Sequence, residues 1–153
     1  SIEEFSQTLY QFTQATKITT NDTRLMTGTL FTILAKIDHL VFKNNAYDSI
    51  TTNVLRQNFS DHNSCRLGKW YNAKGKDLMG STKAYKDIVP FHKTVHDMVL
   101  KNIQFIADKE EVAAHTDEIV DNFIRMEDAS NNLFKTMETM LLQYKETIYK
   151  KSI

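Results

Sequence analysis

The chain has 153 residues, 41% of them apolar, and its nineteen lysines and arginines balance nineteen aspartates and glutamates. That length supports one domain with a real hydrophobic core, and the charge balance excludes the basic excess that would advertise nucleic acid or anionic lipid as a partner. Four glycines and one proline are too few for a turn-rich β fold, so the expectation is an all-helical chain.

The opening "SIEEFSQTLY" is acidic, lacks a signal-peptide core and runs straight into helical spacing without a start methionine. We read it as part of a longer, cytoplasmic chain, and no apolar run approaches the roughly 18 residues of a membrane span. Residues 2–42 place Ile2, Phe5, Leu9 and Phe12, then Met26, Leu30, Ile33, Ile37 and Leu40, at alternating steps of three and four. Such spacing is a coiled-coil or bundle seam. Between Thr13 and Thr29 the seam turns polar, and with no proline there we expect the helix to continue, Gly28 costing only about 1 kcal/mol.

"KNNAYDSITTNVLRQNFSDHNS" reads as a long connection with one short helical turn at most. Asp61, Asn63 and Ser64 are N-cap candidates for a short helix beginning near Cys65 and ending around Gly75 and Gly80. A further helix is expected over residues 81–107, kinked or restarted at Pro90. The last, over 108–150, carries the seam Val112, Ile119, Phe123, Met126, Leu133, Met137, Met140 and Tyr144. The fold class is therefore all-α: an antiparallel four-helix bundle with long first and last helices, expected as a dimer.

Chemistry concentrates around the single cysteine, which cannot close an intrachain disulfide. Cys65 is core filler, a reactive thiol or a metal ligand; a lone buried cysteine is usually the first of these. His92 and His96 stand four apart in "FHKTVH", so on a helix they share a face, and His39 lies in "KIDHLVFK" beside apolar neighbours. Each has an ordinary structural reading as a hydrogen-bonded histidine. Taken with Cys65 they make three imidazoles and a thiolate, a donor set that suits tetrahedral zinc. Four protein ligands fill the sphere, and the glutamate of H-E-x-x-H is missing, so a hydrolytic zinc enzyme is disfavoured.

"KIDHLVFK", "HNSCRLGKWY" and the pair in "FHKTVH", in the order His, Cys, His, His, together resemble the chemoreceptor zinc-binding domain of bacteria, over roughly residues 30–108. The resemblance implies a zinc ion held by His39, Cys65, His92 and His96 in a four-helix bundle, no enzymatic activity, and a homodimer. It also implies attachment to a chemoreceptor signalling domain that works through the chemotaxis kinase and its adaptor, and a Cys65 that acts as a redox switch toward oxidants such as hypochlorous acid. Residues 1–28 then look like the end of a signalling coiled coil or linker helix, and 29–153 like the zinc-binding bundle. Arg66 and Lys69 are expected to favour the thiolate from the next turn. Asp38 and His62 are candidates to support the ligands from behind, and His115 fits no part of the motif. A structural zinc dimerisation domain, or a sensor of zinc availability without redox chemistry, is the alternative.

Overall fold

The computed structural model describes residues 2–150, all of whose regular structure is helical. Three long helices form the body: α1 (Ile2–Thr52), α4 (Ile88–Ile103) and α6 (Thr116–Lys150). Between α1 and α4 the chain makes two short helices, α2 (Arg66–Trp70) and α3 (Lys76–Met79), separated by a π-helical turn over Tyr71–Gly75. A short α5 (Lys109–Ala114) precedes α6. The pairings Lys36 with Glu138 and Lys43 with Glu127, and likewise Ala84, just before α4, with Gln143 and Asn102 with Asn122, run in opposite chain directions, so α6 is antiparallel to both α1 and α4. The described residues thus make a three-helix body with the short segments packed alongside.

Helix α1 is continuous through the polar stretch. Its threonines there need no tertiary partner, because the hydroxyls of Thr13, Thr16, Thr19, Thr20, Thr23 and Thr27 each donate to the carbonyl one turn back. The helix also runs ten residues further than its apolar seam, to Thr52, where a long connection was expected. Tertiary burial overrides the loop-like composition: Ala46, Ser49 and Ile50 are buried, and Tyr47 donates a 2.7 Å hydrogen bond to Glu127 of α6. Asn53, at φ 52°, then ends it in the left-handed conformation typical of a helix C-terminus.

The seam read from α1 does not face the bundle. Met26, Leu30, Ile33, Ile37 and Leu40 are each 46–59% exposed, whereas Gly28, Thr32, Ala35, His39, Phe42 and Ala46 of the opposite face are buried. Small side chains on that face let α6 approach closely and supply the bulk itself, through Met126, Leu133, Met137 and Met140, all at most 1% exposed. The α6 seam is therefore the core seam that its spacing indicates. Apolar residues on both faces also give α1 an 18-residue window of mean hydropathy 1.4, long and apolar enough to cross a membrane by length and composition, contrary to expectation. That window fits a helix of a packed domain equally well, since it overlaps the face buried against α6.

The remaining boundaries follow local chemistry. Pro90 is the third residue of α4, where its missing N–H is one that the first turn leaves unbonded anyway, so the helix restarts rather than kinks. The expected final helix is broken at His115 into α5 and α6, and Asp108 caps α5 through the Glu110 N–H at 2.9 Å. Deep between α4 and α6, Asn122 Nδ2 donates to Asn102 Oδ1 at 2.9 Å, and Asn102 Nδ2 donates to the Ile119 carbonyl at 3.0 Å. Replacing Asn122 by alanine strands the Asn102 oxygen, and urea denaturation should record a loss of about 1–3 kcal/mol; no change would mean that the pair does not hold the helices in register.

Candidate metal centre

The three long-helix contributors converge on one point. His39 comes from the buried face of α1, and His92 and His96 from consecutive turns of α4; they are 2%, 3% and 1% exposed. Cys65 arrives from the loop before α2 and is that helix's N-cap: its Sγ accepts from the Gly68 N–H at 3.4 Å. Asp61, expected as a cap, instead closes the preceding turn by accepting from the Asn63 and Ser64 N–H groups. The loop crosses Gly68 so tightly that a Cβ there would lie 1.9 Å from the His62 carbonyl oxygen. Only glycine admits that crossing.

One donor atom from each of His39, Cys65, His92 and His96 lies within 4.8 Å of all the others, and Cys65 Sγ is 3.2 Å from His92 Nε2. Tetrahedral zinc with bonds of about 2.0–2.3 Å sets its donors about 3.3–3.8 Å apart, so the four reach that geometry by small side-chain movements. Hydrogen bonding fixes which nitrogen is free. His39 Nδ1 is 2.7 Å from the Ala35 carbonyl and His96 Nδ1 is 2.8 Å from the Ser60 carbonyl, contacts in which the ring N–H donates. That leaves the two Nε2 lone pairs directed inward, and both Nε2 atoms are buried without a hydrogen-bond partner. A backbone acceptor behind each imidazole and an orphaned lone pair in front is the arrangement a metal requires.

The electrostatics agree. Burial pushes His92 down to about 2, assisted by the neighbouring His39 and His96, and pushes His96 down to about 4; it lowers His39 as well. All three imidazoles are therefore neutral and ready to coordinate at pH 7. Cys65 departs from expectation. Burial raises its pKa, outweighing the Gly68 and Leu67 N–H groups that favour the thiolate, and Asp38 and Asp61 raise it further. Arg66 does not offset this, because its guanidinium pairs with Asp38 at 3.0 Å. The thiolate thus depends on a bound cation.

Asp38 lies behind Arg66 rather than behind an imidazole, since His39 uses the Ala35 carbonyl. His62 contributes no donor atom to the cluster; its ring stands edge-on to His92 at 5.7 Å, and its carbonyl accepts from Cys65 Sγ at 3.5 Å. His115 stacks on Phe105, away from the centre. The residues that sequence reasoning missed are the acceptors at Ala35 and Ser60. Ala35 stands one helical turn before His39, a spacing that could have suggested it, whereas no sequence signal points to Ser60. A groove of about 360 Å³, lined in part by Gln57, Asp38, Arg66 and Val41, reaches Cys65 and His96 from the surface.

Four convergent nitrogen and sulfur donors on a helical scaffold make a candidate metal site. Residues 39–103 match the family model described as the chemoreceptor zinc-binding domain, from His39 to the last residue of α4. The match spans less than half of the chain, and the family it points to is a zinc-binding signalling family and not a known enzyme family. No curated protein and no solved structure shows a significant match to the chain.

Two outcomes follow from this geometry. Zinc uptake at pH 7 should release about one proton, from Cys65, because the histidines carry none to lose, and affinity should rise about tenfold per pH unit near neutrality; calorimetry in buffers of different ionisation enthalpy counts that proton, and a count near zero contradicts the protonated thiol. Conversely, the histidines of the metal-free chain have folded pKa values below the unfolded 6.5, so their contribution to stability is present above pH 6.5 and lost as pH falls toward 4. Thermal melts in chelator across that range should show the fall. Separately, Gly68→Ala should weaken zinc binding by about tenfold or more, by displacing the loop that carries Cys65; a competitive chelator titration measures it, and unaltered affinity would remove the tight crossing from the account.

Proposed function

We propose that the chain is a cytoplasmic sensory domain of a bacterial chemoreceptor, in which zinc held by His39, Cys65, His92 and His96 makes Cys65 a redox switch toward oxidants such as hypochlorous acid. It works as a homodimer attached to a signalling domain that addresses the chemotaxis kinase and its adaptor. The observation that carries this reading is the composition of the site: three neutral imidazoles and one oxidisable sulfur, with a groove from solvent reaching the sulfur.

When bound, zinc supplies the positive charge that holds Cys65 as a thiolate. The nucleophilic sulfur then attacks the chlorine of hypochlorous acid, an S–Cl bond forming as the Cl–O bond breaks and hydroxide leaves; water then displaces chloride from the sulfenyl chloride with loss of a proton, and the sulfur, oxidised by two electrons, ends as a sulfenic acid. A sulfenic acid is a poorer donor than a thiolate, so the link between the α2 loop and helices α1 and α4 weakens. His39 connects this event to the rest of the molecule, because it stands on the inner face of the 51-residue α1. A structural zinc contributes on the order of 10–16 kcal/mol in small domains, so partial loss of one ligand is ample to shift the packing of α1.

A filled donor set also suits a purely structural zinc or a sensor of zinc availability. Titration of the zinc-loaded chain with hypochlorous acid separates these readings: release of about one zinc per chain is expected from the wild type, in step with sulfenate formation at Cys65. Cys65→Ser, loaded at saturating zinc, should release none at the same oxidant dose. Zinc that stays bound through complete thiol oxidation would overturn the redox switch and leave the structural reading.

A further inference from the structure

The groove that reaches Cys65 carries two charges that the metal centre does not use. Its inner end is formed by His39 and His96, 2% and 1% exposed, and much of its wall by uncharged side chains such as Val41, Gln57 and Ser60. Of the lining residues, Asp38 and Arg66 are the ones that bear a full charge. Asp38 stands one residue before His39 on α1, and Arg66 one residue after Cys65 at the start of α2. Their side chains meet at 3.0 Å and are 38% and 54% exposed, so the pair lies between solvent and the buried ligands, with the carboxylate on the inner side. The sulfur feels that carboxylate. Burial is the main cause of the raised Cys65 pKa, and the charges that add to it are those of Asp38 and Asp61, with no cation opposing them.

A stabilising role explains the pair poorly. An ion pair this exposed is screened by water and contributes little to a fold, and the α2 loop is already fixed by its crossing at Gly68 and by the Cys65 cap. Fixed charges in a cleft with low-dielectric walls do something else: they change the local concentration of a charged reagent and leave a neutral one unaffected. Hypochlorous acid and its anion coexist near neutral pH, so a thiol that reacts with one meets both. We infer that Asp38 and Arg66 select by charge the oxidants that reach Cys65: Asp38 holds anions back, Arg66 keeps that restraint partial, and neutral oxidants pass. This selectivity presupposes Cys65 as the oxidised group, as proposed above, and assigns the residues that decide which oxidants it meets.

Methanethiosulfonates test the selection with no oxidant present, which separates its failure from failure of the redox switch. Each reagent transfers its thioalkyl group to the sulfur, forming a disulfide as methanesulfinate leaves, and Cys65 is the one cysteine that can take it. Rates on the zinc-loaded chain are read by intact mass for a neutral methyl reagent, an anionic sulfonatoethyl reagent and a cationic trimethylammonioethyl reagent. Asp38→Asn should raise the anionic-to-neutral rate ratio about fivefold and lower the cationic-to-neutral ratio by a similar factor, and Arg66→Gln should move both ratios the other way. Salt at about 1 M should shrink these shifts. A displaced loop or an altered thiolate fraction moves all three reagents alike and cancels in the ratios. Ratios within about twofold of wild type in both variants, or shifts of the same sign in the two, overturn the selection and leave the redox switch standing. Should zinc shield the sulfur from all three reagents, or a variant lose its metal, the same ratios measured in chelator decide by the same criteria.

Discussion

Two imidazole nitrogens buried with nothing to bond to are the constraint around which this molecule is arranged. His39 and His96 each spend their N–H on a backbone carbonyl and present a bare Nε2 to the same small space as His92 Nε2 and the Cys65 sulfur. An unsatisfied buried polar atom costs about 1–3 kcal/mol, and these two Nε2 atoms have no hydrogen bond to offset it. The packing of α1, α4 and the α2 loop holds that cost in the metal-free chain, and a cation of the right size would relieve it. Neutral histidines and a protonated thiol follow from the same burial, so the site that accepts a metal readily is also one that must expel a proton to do so.

The long first helix then has two tasks on opposite faces. Inward it must come close to α6, which explains its small residues, and it must deliver His39. One turn on, Lys43 is buried against Glu127 at 2.6 Å, and Tyr47 binds the same carboxylate, so the ligand's helix is tethered to α6 immediately beyond the metal centre. Outward it carries the heptad seam. A displacement of His39 therefore moves the same rigid element that presents the outer seam, without any need for a contiguous chain of side chains between the two.

Much of this was legible in the sequence, for identifiable reasons. His39, Cys65, His92 and His96 are chemically distinctive, and the step of four between the last two on a helix brings them to one face; the fold brings all four together. The α6 seam was legible because large apolar residues at steps of three and four do face the core there. In α1 the same rule pointed outward, since the true core face is built from Gly28, Thr32, Ala35 and Ala46, whose value lies in how little space they fill. The extension to Thr52 was hidden behind Asn44, Asn45 and Asp48, which look like a connection until Tyr47 and Ile50 find their tertiary partners. The Ser60 carbonyl was beyond reach, because a backbone acceptor carries no residue identity, and so was the raised thiol, because burial outweighs the local helix terminus only once the fold is known.

The central claim is that zinc is held by three imidazole nitrogens and the Cys65 sulfur with no position left open. X-ray absorption at the zinc edge of the loaded chain measures it most directly: the account predicts one sulfur at about 2.3 Å and three nitrogens at about 2.0–2.1 Å. A spectrum without the sulfur shell, or with a light-atom donor in its place, would contradict it.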